Sequence, residues 1–147
     1  MRRLLVLALV GLVVVPAAVA QETAIRLEKP WVRRAPVMPD ARPGAESTAA
    51  GYVTLHNRGR ARDALVAATA DAAERVELHE TRNMSGMMMM ERVDKVELAP
   101  GSRVELRPGS YHLMLIGLKR ALTPGQTVTL TLEFERSGRM TTRAEVR

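Results

Sequence analysis

The chain has 147 residues, a formal charge of +6 and a mean hydropathy of −0.08, with no cysteine. Lack of cysteine excludes a disulfide framework and any thiolate metal site. One Trp, two Tyr and one Phe, with acidic and basic residues interspersed as in "ERVDKVELAPGSRVELRPG", exclude the basic, aromatic-rich surface that nucleic-acid binding requires.

Residues 1–20 read as an export signal. "MRR" is a basic start, "LLVLALVGLVVV" is an apolar core ended by Pro16, and Ala18-Val19-Ala20 is a small-residue cleavage site. The apolar run is short for a bilayer span, so a cleaved signal peptide is expected rather than a retained anchor. Residues 21–147 then form a single exported domain, large enough for a real core. That domain has no stable membrane insertion and no N-terminal cysteine to carry a lipid.

From "IRLEKPWVR" onward, short runs rich in Val, Leu, Thr and Tyr alternate with turn signals. An irregular loop, "RAPVMPDARPGAESTAA", precedes "GYVTLHN", "ALVAATA" and "RVELHE". Then follow "MMMMERV", "VELAPG", "RVELRPG", "YHLMLIGL", "LTPGQTVTLTLEFE" and "RMTTRAEV". Pro100-Gly101, Pro108-Gly109 and Pro124-Gly125 mark turns, and Ser137-Gly138 joins the last two strands as a hairpin. Strands of this length and spacing predict an all-β antiparallel sandwich or Greek-key barrel.

Alternation along these strands sorts the side chains that carry chemistry. In "YHLML", Tyr111, Leu113 and Leu115 share one face, and His112 and Met114 the other. In "RVELHE", His79 lies opposite Val76, Leu78 and Glu80. His112 and Met114 on one face could be a chelating pair or could merely pack. His79 extends the pattern to H-x10-M-x21-H-x-M, which joins His79, Met90, His112 and Met114. Two imidazoles and two thioethers form a soft, neutral four-coordinate set that suits Cu(I) over hard cations.

The run at 87–90 demands its own explanation, because four consecutive residues of a strand cannot all face one core. Alternation places Met88 and Met90 with Arg92, and Met87 and Met89 with Val93. Met90 is the member of the H-x10-M-x21-H-x-M set on this strand, and Met88 beside it is a candidate auxiliary thioether or apolar shell. Met87 and Met89 are expected in the core. Met84, before a glycine turn, is either a docking residue or turn packing. His56 has no soft partner and reads as structural or exposed; Trp31 reads as core or sheet edge.

The segments "GYVTLHN", "VELHE", "LAPG", "VELRPGSYHLMLIGLK" and "LTPGQTVTLTLEFE", together with the H-x10-M-x21-H-x-M spacing, resemble the PCuAC-type periplasmic copper chaperones. The resemblance runs from about Trp31 to the C-terminus. It implies a cupredoxin-like Greek-key β-barrel or sandwich and a periplasmic location. It further implies that His79, Met90, His112 and Met114 bind Cu(I), for delivery to a copper-accepting protein such as the copper centre of cytochrome c oxidase. Two features depart from the family pattern. The chain ends "TTRAEVR", without the Met- and His-rich tail that some family members carry and that is credited with a second, Cu(II)-type site, and its methionine strand lacks the usual polar interruption.

Other classes fit less well. An electron-transfer blue-copper protein needs a cysteine thiolate that this chain lacks. No nucleophile–base pair, phosphate loop or carboxylate dyad suggests an enzyme. A structural or adhesive β-sandwich would bind no stoichiometric copper, and a copper storage or resistance protein would bind it without a dedicated acceptor.

Overall fold

In the computed structural model, residues 24–36 and 46–147 are described. The expected signal peptide and the middle of the Pro/Ala/Gly loop lie outside them. Among the described residues the chain is all-β, and no helix is long and apolar enough to cross a membrane.

Ten strands form: β1 (Ile25–Val32), β2 (Thr48–Asn57), β3 (Asp63–Ala70), β4 (Ala73–Met84) and β5 (Met87–Arg92), followed by β6 (Val96–Leu98), β7 (Arg103–Glu105), β8 (Tyr111–Leu118), β9 (Thr127–Phe134) and β10 (Gly138–Val146). Their hydrogen-bonded order is β5-β4-β8-β2-β1-β10-β9-β3-β6, with β7 pairing β2. The path doubles back, so that β3 and β4, joined through Asp71 and Ala72 but distant in this order, lie against each other. It does not close into a barrel, since β5 and β6 remain its two ends. One pairing departs from the antiparallel expectation: β1 and β10 run parallel, with Trp31 opposite Glu145 and Val32 opposite Val146. Such a pair needs a long crossover, and here the whole domain between first and last strand supplies it.

The core follows from alternation. Leu55, Leu65, Leu113, Leu115, Leu130 and Leu132 are fully buried and point between the two layers. Tyr52 and His112 are also buried but lie outside this cluster, on the opposite face of β2 and β8. That second face, not the core, carries the soft side chains. Trp31 is half-buried there, its ring centroid 4.4 Å from that of Tyr52, on a strand interior to the sheet rather than at its edge.

Asp63 is the buried carboxylate that secures the β9–β10 turn. Its Oδ1 accepts from the amides of Ala64 and Arg136, at 2.8 and 2.9 Å, and its Oδ2 from the amide and hydroxyl of Ser137, at 3.0 and 2.6 Å. Burial pushes this carboxyl up, but the Ser137 hydroxyl and the three amides outweigh it and hold the group below its ordinary value. A lowered folded pKa gives stability that is present above the unfolded value, ~3.9, and is lost as pH falls through the folded one. Asp63→Asn replaces an accepting oxygen with a donor facing Ser137, and we expect it to cost about 1–3 kcal/mol at neutral pH. The urea midpoint measures this. The cost should shrink in acid, and an equal cost at pH ~7 and pH ~3 would contradict this assignment.

Candidate metal centre

The geometry begins with β4 and β8. Their antiparallel register sets His79 directly opposite His112 and Glu77 directly opposite Met114. Side chains opposite one another project to the same face, with Cβ atoms about 4.5–5.5 Å apart. The two imidazole centroids are 5.6 Å apart, with their planes inclined by 57°. On the other flank, β5 pairs β4 so that Met90 faces Thr81, Met88 faces Asn83 and Arg92 faces His79. Met88, Met90 and Arg92 therefore share the face of His79, His112 and Met114.

A surface depression of about 270 Å³ gathers this face. Met88, Met90, His112 and Met114 line it, with Tyr52 and the turn Pro108-Gly109 among its other walls. His79 lies beside it through its contact with the His112 ring. The four residues of the H-x10-M-x21-H-x-M pattern thus meet across three adjacent strands. Their burial is graded: His112 is only 5% exposed, Met114 is intermediate and Met90 is 62% exposed.

The hydrogen bonds orient both rings. His79 Nε2 lies 3.0 Å from Glu77 Oε2, while its Nδ1 is buried with no hydrogen-bond partner. His112 Nδ1 lies 3.2 Å from the Ser110 carbonyl oxygen. Burial pushes the His112 pKa down and the neighbouring His79 adds to this, against the opposing Ser110 carbonyl. A neutral imidazole with one nitrogen held by an oxygen acceptor presents a lone pair on the other, the arrangement that metal-binding histidines use. The orphaned Nδ1 of His79 fits that description. Among the described residues, no group of three or more His, Asp or Glu could hold a metal without help from methionine.

The family model "LpqE-like: Putative lipoprotein LpqE-like" matches residues 25–146. The chain belongs to this LpqE-like family, the PCuAC family.

Solved PCuAC domains share its cupredoxin-like β fold. The copper-bound PCuAC domain from PmoF2 is 27% identical, with a TM-score of 0.64, over 84% of this chain and 92% of that one. The Cu(I) form of DR1885 from Deinococcus radiodurans is 29% identical, with a TM-score of 0.62, over 87% and 83%. Among curated relatives, "Putative lipoprotein Lxx21020" of Leifsonia xyli subsp. xyli is 35% identical over 115 residues. "Uncharacterized protein RP573" of Rickettsia prowazekii is 33% identical over 115 residues. These matches span 64% and 61% of the two relatives' own lengths. The family description and one of these two relatives carry the name putative lipoprotein; the 147 residues here contain no cysteine.

Within this PCuAC-family domain, one expectation fails. Met87 and Met89 are not core residues: they are 67% and 41% exposed, and every residue of β5 is exposed. Strand β5 ends the hydrogen-bonded order, and no second layer covers its far face, so alternation there merely divides one open side from another. Met84, 55% exposed, is likewise not packed into its turn. His56 lies on β2 with its Nδ1 3.8 Å from Glu28 Oε1, outside the lining of the depression.

Sequence reasoning passed over Glu77. It stands two residues before His79, and strand periodicity alone places it on the same face. The signal is present in "VELHE": a carboxylate two residues from a histidine on one strand face can hold one ring nitrogen and leave the other free for a metal.

Proposed function

We propose that this protein is an exported copper chaperone that carries one Cu(I) in the depression between β4, β5 and β8, held by His79, His112, Met114 and Met90. The observation that carries this reading is the direct cross-strand pairing of His79 with His112, flanked on one face by Met114 and Met90. Copper in the PmoF2 domain and Cu(I) in DR1885 support it, as does the neutral donor set: two imidazoles and two thioethers leave the bound ion at +1, which favours the reduced state. The name putative lipoprotein, carried by the family model and by the Leifsonia xyli relative, supports export, in this reading to the periplasm.

Delivery follows from the graded burial. The His112 imidazole lies deep and that of His79 is half-buried, whereas Met90 stands at the rim on an edge strand. An acceptor's soft ligands could displace Met90 first and draw the ion outward without unfolding the domain. The resemblance points to the copper centre of cytochrome c oxidase as the destination.

The test is the copper stoichiometry of the mature chain against a tight chromophoric Cu(I) chelator, with X-ray absorption at one equivalent. One tightly held Cu(I) with mixed nitrogen and sulfur scattering is expected. A shell of nitrogen and oxygen without sulfur would refute the assignment.

A further inference from the structure

The exposed methionines that the mixed site leaves unused require their own account. Met84, Met87 and Met89 stand on the face of the β4–β5 hairpin opposite His79. The register pairs Met84 directly with Met87, and Met89 follows two residues on. The turn makes this placement tight. Ser85 and Gly86 both have positive φ, 54° and 86°, the pattern of a two-residue hairpin whose twist matches its strands, and the Gly86 amide donates to Asn83 Oδ1 at 2.9 Å. Cβ atoms of Met84 and Met87 are therefore about 4.5–5.5 Å apart, and Met89 lies within the diagonal reach of long side chains.

Packing gives no reason for thioethers at these positions. Met84, at the exposed end of β4, is 55% exposed, and Met87 and Met89, on a strand that buries nothing, are 67% and 41% exposed. An open apolar edge strand is normally blunted with charge, because it invites aggregation. The charges on this face are arranged to leave the sulfurs clear. Arg82, opposite Met89, is drawn back to Glu80 by Nε and Nη2 contacts of 2.8 and 2.6 Å, and Glu80 faces Glu91 across the ladder. Arg82 is the nearest charged neighbour of the methionine tip, but Glu80 pairs its charge and Glu91 stands beside that pair, so the positive charge next to the sulfurs is compensated.

We infer that Met84, Met87 and Met89 form a second, sulfur-only site for a soft monovalent cation, Cu(I) or its redox-inert analogue Ag(I). Three neutral thioethers without imidazole bind more weakly than the mixed site. They also bind independently of pH through the histidine range, since thioether does not take up a proton there. The site lies at the exposed end of the β4–β5 hairpin, on the face opposite Met88 and Met90, where an ion can be collected before it passes into the depression. It shares no residue with the proposed chaperone site, so each can fail without the other.

The experiment is a titration of the mature protein with Ag(I), followed through the Met ε-methyl resonances. The first equivalent should shift Met90 and Met114, and a second should shift Met84, Met87 and Met89. Met84→Leu, Met87→Leu and Met89→Leu combined should abolish only the second step. His79→Ala with His112→Ala should weaken the first step and leave the second intact at both pH ~7 and pH ~5. Since Met84, Met87 and Met89 are all exposed, the triple variant should fold as the wild type does, which its dispersed amide spectrum verifies. Failure of those three methyls to respond, or a second step that survives the triple substitution, would overturn the inference.

Discussion

His112→Ala is expected to reduce Cu(I) affinity by two orders of magnitude or more, on the order of 3 kcal/mol, while His56→Ala leaves it within about twofold. The contrast rests on position. The His112 ring faces His79 across the ladder and shares its strand face with Met114, whereas His56 lies beside Glu28 and outside the depression. The substitution also removes a buried side chain whose Nδ1 lies against the Ser110 carbonyl, so some loss of stability is expected beside the loss of binding. Chelator competition at fixed pH separates the two, provided the variant's urea transition is recorded alongside. His79→Ala should resemble His112→Ala in binding, with the further consequence that Glu77 loses the partner that chiefly depresses its carboxyl. Equal losses for His56→Ala and His112→Ala would move the site away from the β4–β8 pair.

Acid should release the copper steeply. Protons compete for the imidazoles and not for the thioethers, so affinity should fall by up to about a hundredfold per pH unit once both histidines compete. The sign follows from His112. Burial lowers its folded pKa, so the proton competes less well there than for a free histidine, ~6.5. Affinity should therefore hold its plateau below the pH at which a free imidazole would begin to lose metal, and then drop. The same lowered pKa makes acid destabilising for the copper-free protein: the unfolded chain takes up a proton as pH falls through ~6.5 before the folded one does. Chelator competition between pH ~7 and pH ~4 measures the binding arm, and a flat profile would mean that methionines alone hold the ion. Wild-type and His112→Ala proteins should differ in slope as well as in affinity, since the variant has one fewer proton competitor.

The amino-acid sequence by itself determined which face of each strand carries the soft groups. Because side chains alternate strictly, "YHLML" had to put His112 with Met114 and away from Leu113, and "RVELHE" had to put His79 away from Leu78. Lack of cysteine determined that any soft site must draw on thioether and imidazole, and the spacing of His79, Met90, His112 and Met114 was legible before any strand was paired. What alternation cannot convey is which strand becomes whose neighbour, and in what register. Only the pairing of β4 with β8 places His79 opposite His112, since a slip of one residue would have set His79 against Leu113 or Tyr111. Tertiary structure likewise decided the fate of the methionine run. A strand's second face is core only if another layer covers it, and β5 lies at the end of the order with both faces open. Met87 and Met89 are exposed for that reason, which no local pattern could reveal. The parallel joining of β1 to β10 has the same origin: it brings together the two ends of the domain, a contact that only the closing of the whole fold can specify.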